Sequence, residues 1–137
     1  MSINTDNLKR CIETLEKSYS LIKTSEENSV YYEIYRNSLV KSFEMCLEQA
    51  GKLLKKRLMP FFATKTALDK LTFKEIFRHA LKYSLISEEE TLHWFEYRDN
   101  RNDTAHDYGV EFAKTTLLLM DNFIKDVNNL RIVIEGE

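Results

Sequence analysis

Near position 100 the sequence places an arginine, an amide and a histidine within one short polar run, as Arg101, Asn102 and His106. These side chains suit chemistry at a phosphodiester. A histidine near its unperturbed pKa can move a proton to or from a ribose 2′-hydroxyl. An arginine offers a planar fork of donors to phosphate oxygens and stabilises the charge that develops on them. Because the 2′-hydroxyl itself serves as the nucleophile, this chemistry needs no metal ion and no cofactor.

The spacing of these residues indicates how a helix would present them. At about 100° per residue, Arg98, Asn102 and His106 fall in one row on a single helix face. Arg101 falls about 140° from His106, so its long side chain must reach around the helix or meet a neighbouring chain. Asp103, three residues before His106, is placed to orient the imidazole. We therefore predict catalytic roles for Arg101, Asn102 and His106, with Arg98 and Asp103 in support.

The same residues resemble a known family. Arg101 and Asn102, followed by three residues and then His106, match the Arg-polar-x-x-x-His signature of HEPN domains. Asp107 and Tyr108 extend the pattern to Arg-x4-His-x-Tyr. This longer form resembles HepT-type toxins and the similar nucleotidyltransferase substrate-binding proteins. The length of the chain, the order of its predicted helices and the position of the motif before the last long helix agree with that family over essentially the whole sequence.

The resemblance implies a function and partners. It implies a metal-independent endoribonuclease of a toxin–antitoxin module, with His106 as the acid and base, Arg101 as the phosphate clamp and Asn102 as the positioning group. It also implies a homodimer that brings two motifs together, RNA as the substrate, and a minimal nucleotidyltransferase as the cognate antitoxin. That partner would neutralise the toxin by transferring AMP to Tyr108. The alternative is a non-catalytic subunit that docks on the nucleotidyltransferase and helps to present its substrate.

Each candidate residue also has a purely structural interpretation. His106 suits a helix C-terminus, where the macrodipole favours a cationic side chain. Arg98 and Arg101 suit solvated ion pairs with the neighbouring aspartates, and Tyr108 suits a plug at a corner between helices. The full motif favours the catalytic interpretation for His106, whereas for Arg98 and Tyr108 both interpretations stay open. His79 and His93 stand among apolar residues, and we predict structural roles for them.

Helix start and stop signals divide the chain into segments that would carry this site. A cap within residues 4–6 predicts a first helix, and a long second helix must end before Pro60. Residues 64–70 read as a loop or a single turn. Two capping-box spacings, at 72–75 and 87–90, begin a short helix and a longer one that runs into the polar segment. Gly109 interrupts the pattern, and a last long helix follows.

The apolar spacing within these segments predicts an all-α fold, an antiparallel bundle of four or up to five helices that resembles the HEPN fold. Leu92 and Phe95 are the apolar positions that begin the helix leading into the polar segment. The residues predicted to be buried across the bundle are Leu39, Phe43, Leu47, Leu117 and Phe123. The 137 residues form one domain, and only 3 glycines and 1 proline leave few turns for a β fold.

Charge and cysteine content narrow the class of protein. The net charge of −2 excludes a basic field that binds nucleic acid non-specifically, so any RNA contact must be local or built from two chains. Cys11 and Cys46 sit in helical apolar patterns, which favours buried free thiols. The N-terminal residues lack a signal-peptide pattern and no apolar run reaches transmembrane length, so we expect a cytoplasmic protein without a membrane partner.

Overall fold

The computed structural model describes the backbone of residues 3–103 and 110–136 and the side chains of residues 3–101 and 113–136. These residues form six α-helices and one short 3₁₀ turn at Met59–Phe61, and no strand occurs in the described ranges. The helices are α1 (Asp6–Lys23), α2 (Val30–Leu58), α3 (Lys65–Asp69), α4 (Phe73–Lys82), α5 (Glu88–Asp103) and α6 (Val110–Glu135). The all-α prediction is confirmed, with the segment at 64–70 forming the single turn α3.

The two predicted capping boxes form, whereas Thr5 at the start of α1 makes no side-chain capping hydrogen bond. The Thr72 hydroxyl accepts from the Glu75 backbone N–H at 3.3 Å, and the Glu75 carboxylate accepts in return from the Thr72 N–H at 2.8 Å. Ser87 and Glu90 repeat this reciprocal pair before α5, with both distances at 3.0 Å. Each box satisfies two backbone donors that a helix N-terminus leaves open. The start of α5, the helix that carries the polar segment, is therefore fixed by local sequence.

Contacts between α1 and α6 show that these two helices are antiparallel. The Thr5 hydroxyl donates to Glu135 at 2.6 Å, which joins the start of α1 to the end of α6. The Tyr19 hydroxyl donates to Asp121 at 3.0 Å, which joins the end of α1 to the first half of α6. Helices α1, α2, α5 and α6 form the bundle, and α4 packs against α2 and α5.

The core contains four of the five residues predicted to be buried. Leu39, Phe43, Leu47 and Phe123 are each no more than 1% exposed. Leu117 is only half-buried, because the inner face of α6 passes through Thr116 and Met120, both 0% exposed. The free thiols Cys11 and Cys46 are buried as predicted, and burial raises the pKa of both.

The inward face of α5 differs from the expected one. Leu92 is 59% exposed and Phe95 is half-buried, whereas Trp94 and Tyr97 are at most 1% exposed. The two larger aromatic rings bury more apolar area than a leucine does, and they make edge contacts with Phe123. The helix is therefore turned so that Trp94 and Tyr97 enter the core. Along the described ranges, no helix has both the length and the apolar character needed to cross a membrane.

Candidate functional site

Arg101 lies near the end of α5 and faces α2. Its Nε atom is 3.4 Å from Oε2 of Glu44, and the two side chains are 34% and 16% exposed respectively. The ion pair holds together two helices that are far apart in sequence. The Arg101 side chain thus contacts α2 of its own protomer, and its predicted approach to His106 or to a neighbouring chain stays a prediction.

Arg98 lies one turn earlier and has a different environment. Its guanidinium carbon is 5.1 Å from the centroid of the Phe73 ring, a cation–π distance that ties α5 to the start of α4. The adjacent Asp99 pairs with Lys74 at 2.7 Å. The structural interpretation of Arg98, left open above as an ion pair with Asp99, is not the arrangement found: both residues contact α4 instead.

Arg98 and Arg101 share the wall of a cavity of about 330 Å³ beside α2. Lys41 and Glu44 line it from the α2 side, together with the apolar Met45. A second cavity of about 380 Å³ shares Lys41 and Glu44 and continues along α2 toward the start of α6. Together they form one open groove, called the α2 groove below, which contains the predicted arginines and further basic side chains.

The remaining predicted site residues fall outside the described side chains. The backbones of Asn102 and Asp103 belong to the last turn of α5, but their side chains are not described. His106 and Tyr108 lie in residues 104–109, outside the described ranges. The single row of Arg98, Asn102 and His106, and the orienting role of Asp103, therefore stay predictions.

One polar residue of the segment has a structural role that the sequence did not reveal. Asn100 is 8% exposed, and its amide donates to the hydroxyl of Thr116 at 3.2 Å. A buried amide without such a partner would be costly. This hydrogen bond fixes the end of α5 against the start of α6, on either side of the predicted motif. Part of the polar run therefore holds α5 against α6.

A buried carboxylate joins α5 to α6 further along. Asp126 is 4% exposed and accepts from the Tyr97 hydroxyl at 2.5 Å, and the same oxygen lies 2.9 Å from Nδ1 of His93. Burial and the hydrogen bond to Asp126 strongly raise the pKa of Tyr97. His93 thus has the structural role that we predicted. The sequence analysis did not identify Asp126. The feature that could have identified it is an acidic residue beside the apolar stripe of the last helix.

Among residues 3–101 and 113–136, no three His, Cys, Asp or Glu side chains form a group suited to a metal ion.

Glu44 was also missed by the sequence analysis. Its position beside the buried Phe43 put it at the edge of the inner face of α2, but nothing in the sequence paired it with Arg101. The arrangement defines a class of protein: an all-α bundle with an arginine-bearing groove between the end of α5 and α2.

Comparison with known proteins places the chain within a family. The family model described as "Nucleotidyltransferase substrate binding protein like" matches residues 3–134. The protein belongs to this nucleotidyltransferase substrate-binding-like family. That match covers five helices completely and α6 up to residue 134, and it includes the segments that line the α2 groove.

A curated relative and a solved structure extend the comparison. A Haemophilus influenzae protein named "Probable ribonuclease HepT" is 32% identical over 85 residues, which are 62% of this chain and 57% of that protein. The match therefore spans little more than half of the relative's length. A solved Haemophilus influenzae structure, described as the fold of a substrate binding domain of a nucleotidyltransferase, aligns with a TM-score of 0.76. That alignment covers 93% of this chain and 96% of the other at 24% identity, which establishes the shared fold.

Proposed function

We propose that this protein is a HEPN-type endoribonuclease that cleaves RNA without a metal ion. The observation that carries the proposal is the placement of Arg101, which lies at the wall of the α2 groove and five residues before His106 in the motif. In this proposal His106 moves the proton of the ribose 2′-hydroxyl, Arg101 binds the phosphate and Asn102 positions the reacting groups. The likeness to a protein named "Probable ribonuclease HepT" supports RNA cleavage as the activity.

The active form in this proposal is a homodimer. A chain with a net charge of −2 has little general attraction for RNA, whereas a two-fold axis near Arg101 and His106 doubles the local basic and catalytic groups. Exposed apolar side chains at the start of α2 offer a surface for self-association: Val30 (68% exposed), Tyr31 (67%) and Ile34 (53%). Sedimentation of the protein and of Ile34→Glu tests this, and a monomer at micromolar concentration contradicts it.

The proposal also includes a partner that switches the activity off. A minimal nucleotidyltransferase transfers AMP from ATP to Tyr108: the phenolic oxygen attacks the α-phosphorus, the bond to pyrophosphate breaks, and the phenolic proton leaves to solvent. The added phosphate and base, two residues from His106, compete with RNA by charge and volume. Incubation with the partner and ATP should add adenylate-sized mass to the protein but not to Tyr108→Phe.

A second function has its own support. The description of the family, and that of the solved relative, name substrate binding for a nucleotidyltransferase. In this alternative the α2 groove and the polar end of α5 form a docking surface and cleave nothing. The partner would still bind, and its activity would depend on this subunit.

An RNA cleavage assay separates the two functions. The protein is incubated with a labelled single-stranded RNA of mixed sequence, with and without EDTA, beside His106→Ala and the control Arg10→Ala, which changes an exposed arginine on α1. The ribonuclease proposal expects cleavage that survives EDTA and Arg10→Ala but falls about 10²–10⁴-fold in His106→Ala. Absence of cleavage, together with stimulation of the nucleotidyltransferase, favours the docking subunit.

A further inference from the structure

Glu44 is an unusual residue for the face of α2 that it occupies. Its neighbours Phe43 and Leu47 are fully buried, and its own side chain is only 16% exposed. Removing a carboxylate from water costs free energy unless a cation or hydrogen-bond donors compensate. Arg101 lies 3.4 Å away and supplies that compensation across the helix boundary. The carboxylate and the guanidinium therefore fix each other's position at the floor of the α2 groove.

The atom that makes the contact matters for the chemistry. Glu44 meets Arg101 at Nε, on one side of the planar guanidinium. The further N–H donors of an arginine lie on its two Nη atoms, in the same rigid plane. The ion pair at Nε holds this side of the guanidinium against Glu44 on α2. Phosphate recognition by arginine depends on the direction of the guanidinium plane, because two parallel N–H donors must meet two oxygens.

The two arginines of the groove differ in this respect. Arg98 is held by the face of the Phe73 ring, a contact that restricts its position without choosing a donor edge. Arg101 is held by a carboxylate at a particular nitrogen atom. Of the two, Arg101 is the side chain that is paired with an acidic residue on another helix.

We infer that Glu44 is a positioning residue for the reaction, one that orients the Arg101 guanidinium toward the scissile phosphate of RNA. The inference rests on the proposed ribonuclease function and deepens it. Glu44 acts through Arg101 and touches neither the substrate nor the reacting atoms. Its effect belongs to the transition state, where the arginine meets the developing charge, so loss of Glu44 should lower kcat more than it changes KM.

The test compares three variants of the full chain with the wild type in the RNA cleavage assay. Glu44→Ala removes the carboxylate beside Nε, and Glu44→Gln keeps an oxygen of the same size and position without the negative charge. Glu33→Ala is the matched control, because it removes an exposed carboxylate about three turns earlier on the same helix. We expect kcat to fall about 10²-fold in Glu44→Ala with little change in KM, to recover to within about 10-fold of the wild type in Glu44→Gln, and to be unchanged in Glu33→Ala.

Two kinetic results overturn the inference. Glu44→Ala with wild-type or higher kcat shows that the contact is not needed or that it restrains Arg101. Equal loss in Glu44→Gln and Glu44→Ala, with a changed pH profile, shows that the carboxylate itself takes part in proton transfer. Thermal unfolding of each variant shows whether a loss of kcat is due to unfolding. If Glu44→Ala folds poorly, the kcat of Glu44→Gln is compared with that of Glu33→Ala instead.

A measurement without RNA separates this inference from the ribonuclease proposal. In a ¹⁵N-labelled protein, the Nε–H resonance of Arg101, assigned with Arg101→Lys, reports the contact directly. A resonance that shifts and exchanges faster with water in Glu44→Ala but not in Glu33→Ala supports orientation by Glu44. An unchanged resonance overturns it. If the wild type cleaves no RNA, the proposed function fails, and this measurement alone decides whether Glu44 orients Arg101.

Discussion

The two ends of the bundle both contain polar contacts between helices, yet they differ in what those contacts enclose. At the closed end, where α1 begins and α6 ends, Thr5 and Arg131 hydrogen-bond to Glu135, and the buried Asp126 lies further inward. At the groove end, Arg101 pairs with Glu44 beside an open cavity of about 330 Å³. Ion pairing alone therefore does not mark a functional site. The groove end combines a partnered arginine with space for a ligand.

This difference predicts a separation of effects. Changes at the groove end should alter RNA cleavage more than the free energy of unfolding, and changes at the closed end should do the reverse. The comparison fails if variants at the two ends change RNA cleavage and the free energy of unfolding to the same relative extent.

The largest expected effect is on catalysis, in Arg101→Ala. Loss of one donor group that stabilises developing charge typically costs about 10²–10³-fold in rate. Arg101→Lys should restore only part of the rate, because an ammonium lacks the planar fork. Because Arg101 is 34% exposed and its ion pair with Glu44 is only partly buried, the free energy of unfolding should fall by less than about 2 kcal/mol. Cleavage kinetics and urea unfolding check both parts, and a variant that cleaves like the wild type contradicts the role.

The second effect is on stability, in Asp126→Ala. This change removes the acceptor from both the Tyr97 hydroxyl and the His93 imidazole, and Tyr97 is 1% exposed. Buried donors left without partners should lower the free energy of unfolding by about 2–4 kcal/mol. Asp126→Asn keeps one acceptor oxygen and should lose less. Urea unfolding measures both, while RNA cleavage at a temperature where the variants are folded should stay near the wild-type rate.

The sequence predicted the helices well because their signals are local. The capping boxes at 72–75 and 87–90, and the apolar stripe through Leu39 and Phe43, depend on residues within a few turns of one another. The predicted inward face of α5 was wrong at Leu92, which is exposed, whereas Phe95 packs against the core. Trp94 and Tyr97 enter the core because of their contacts with Phe123 on α6, which the pattern within α5 cannot predict.

The candidate site was predicted only in part, for the same reason. The motif identified Arg101 through residue types and short spacing. Its contact with Glu44 and the anchoring of Asn100 by Thr116 join positions on different helices, and single-sequence periodicity has no information on such pairs. The structure supplied these contacts because it brings α2 and α6 against the end of α5.

A smaller effect is expected for Tyr97→Phe. The change removes one hydrogen bond to a buried carboxylate but keeps the ring that packs on Trp94 and Phe123. Hydrogen bonds to charged groups contribute about 1.5–3 kcal/mol, so the loss should lie below that of Asp126→Ala. Tyr83→Phe, which keeps a ring stacked on Phe61 outside the proposed dimer surface, is the control and should change urea unfolding less. A loss as large in Tyr83→Phe would mean that the hydroxyl of Tyr97 has no special role.

The smallest effect concerns the pH dependence of stability at the closed end. The hydrogen bond from Thr5, and then the contacts with Arg131 and Lys9, hold the pKa of Glu135 below its ordinary value of 4.5. A carboxyl whose pKa is lower in the folded state stabilises the fold above the unfolded-state pKa and loses that contribution as the pH falls through the folded value. Glu135→Gln should therefore flatten the decline in unfolding free energy below about pH 4.5. Because the side chain is 33% exposed, the effect at neutral pH should be under about 1 kcal/mol.

Urea unfolding from pH 3 to pH 7, roughly the range in which carboxyls titrate, measures this effect, with Glu13→Gln on α1 as the control. A decline as steep in Glu135→Gln as in the wild type would mean that the carboxyls responsible lie elsewhere, and that the closed end is held by packing instead of by these charges.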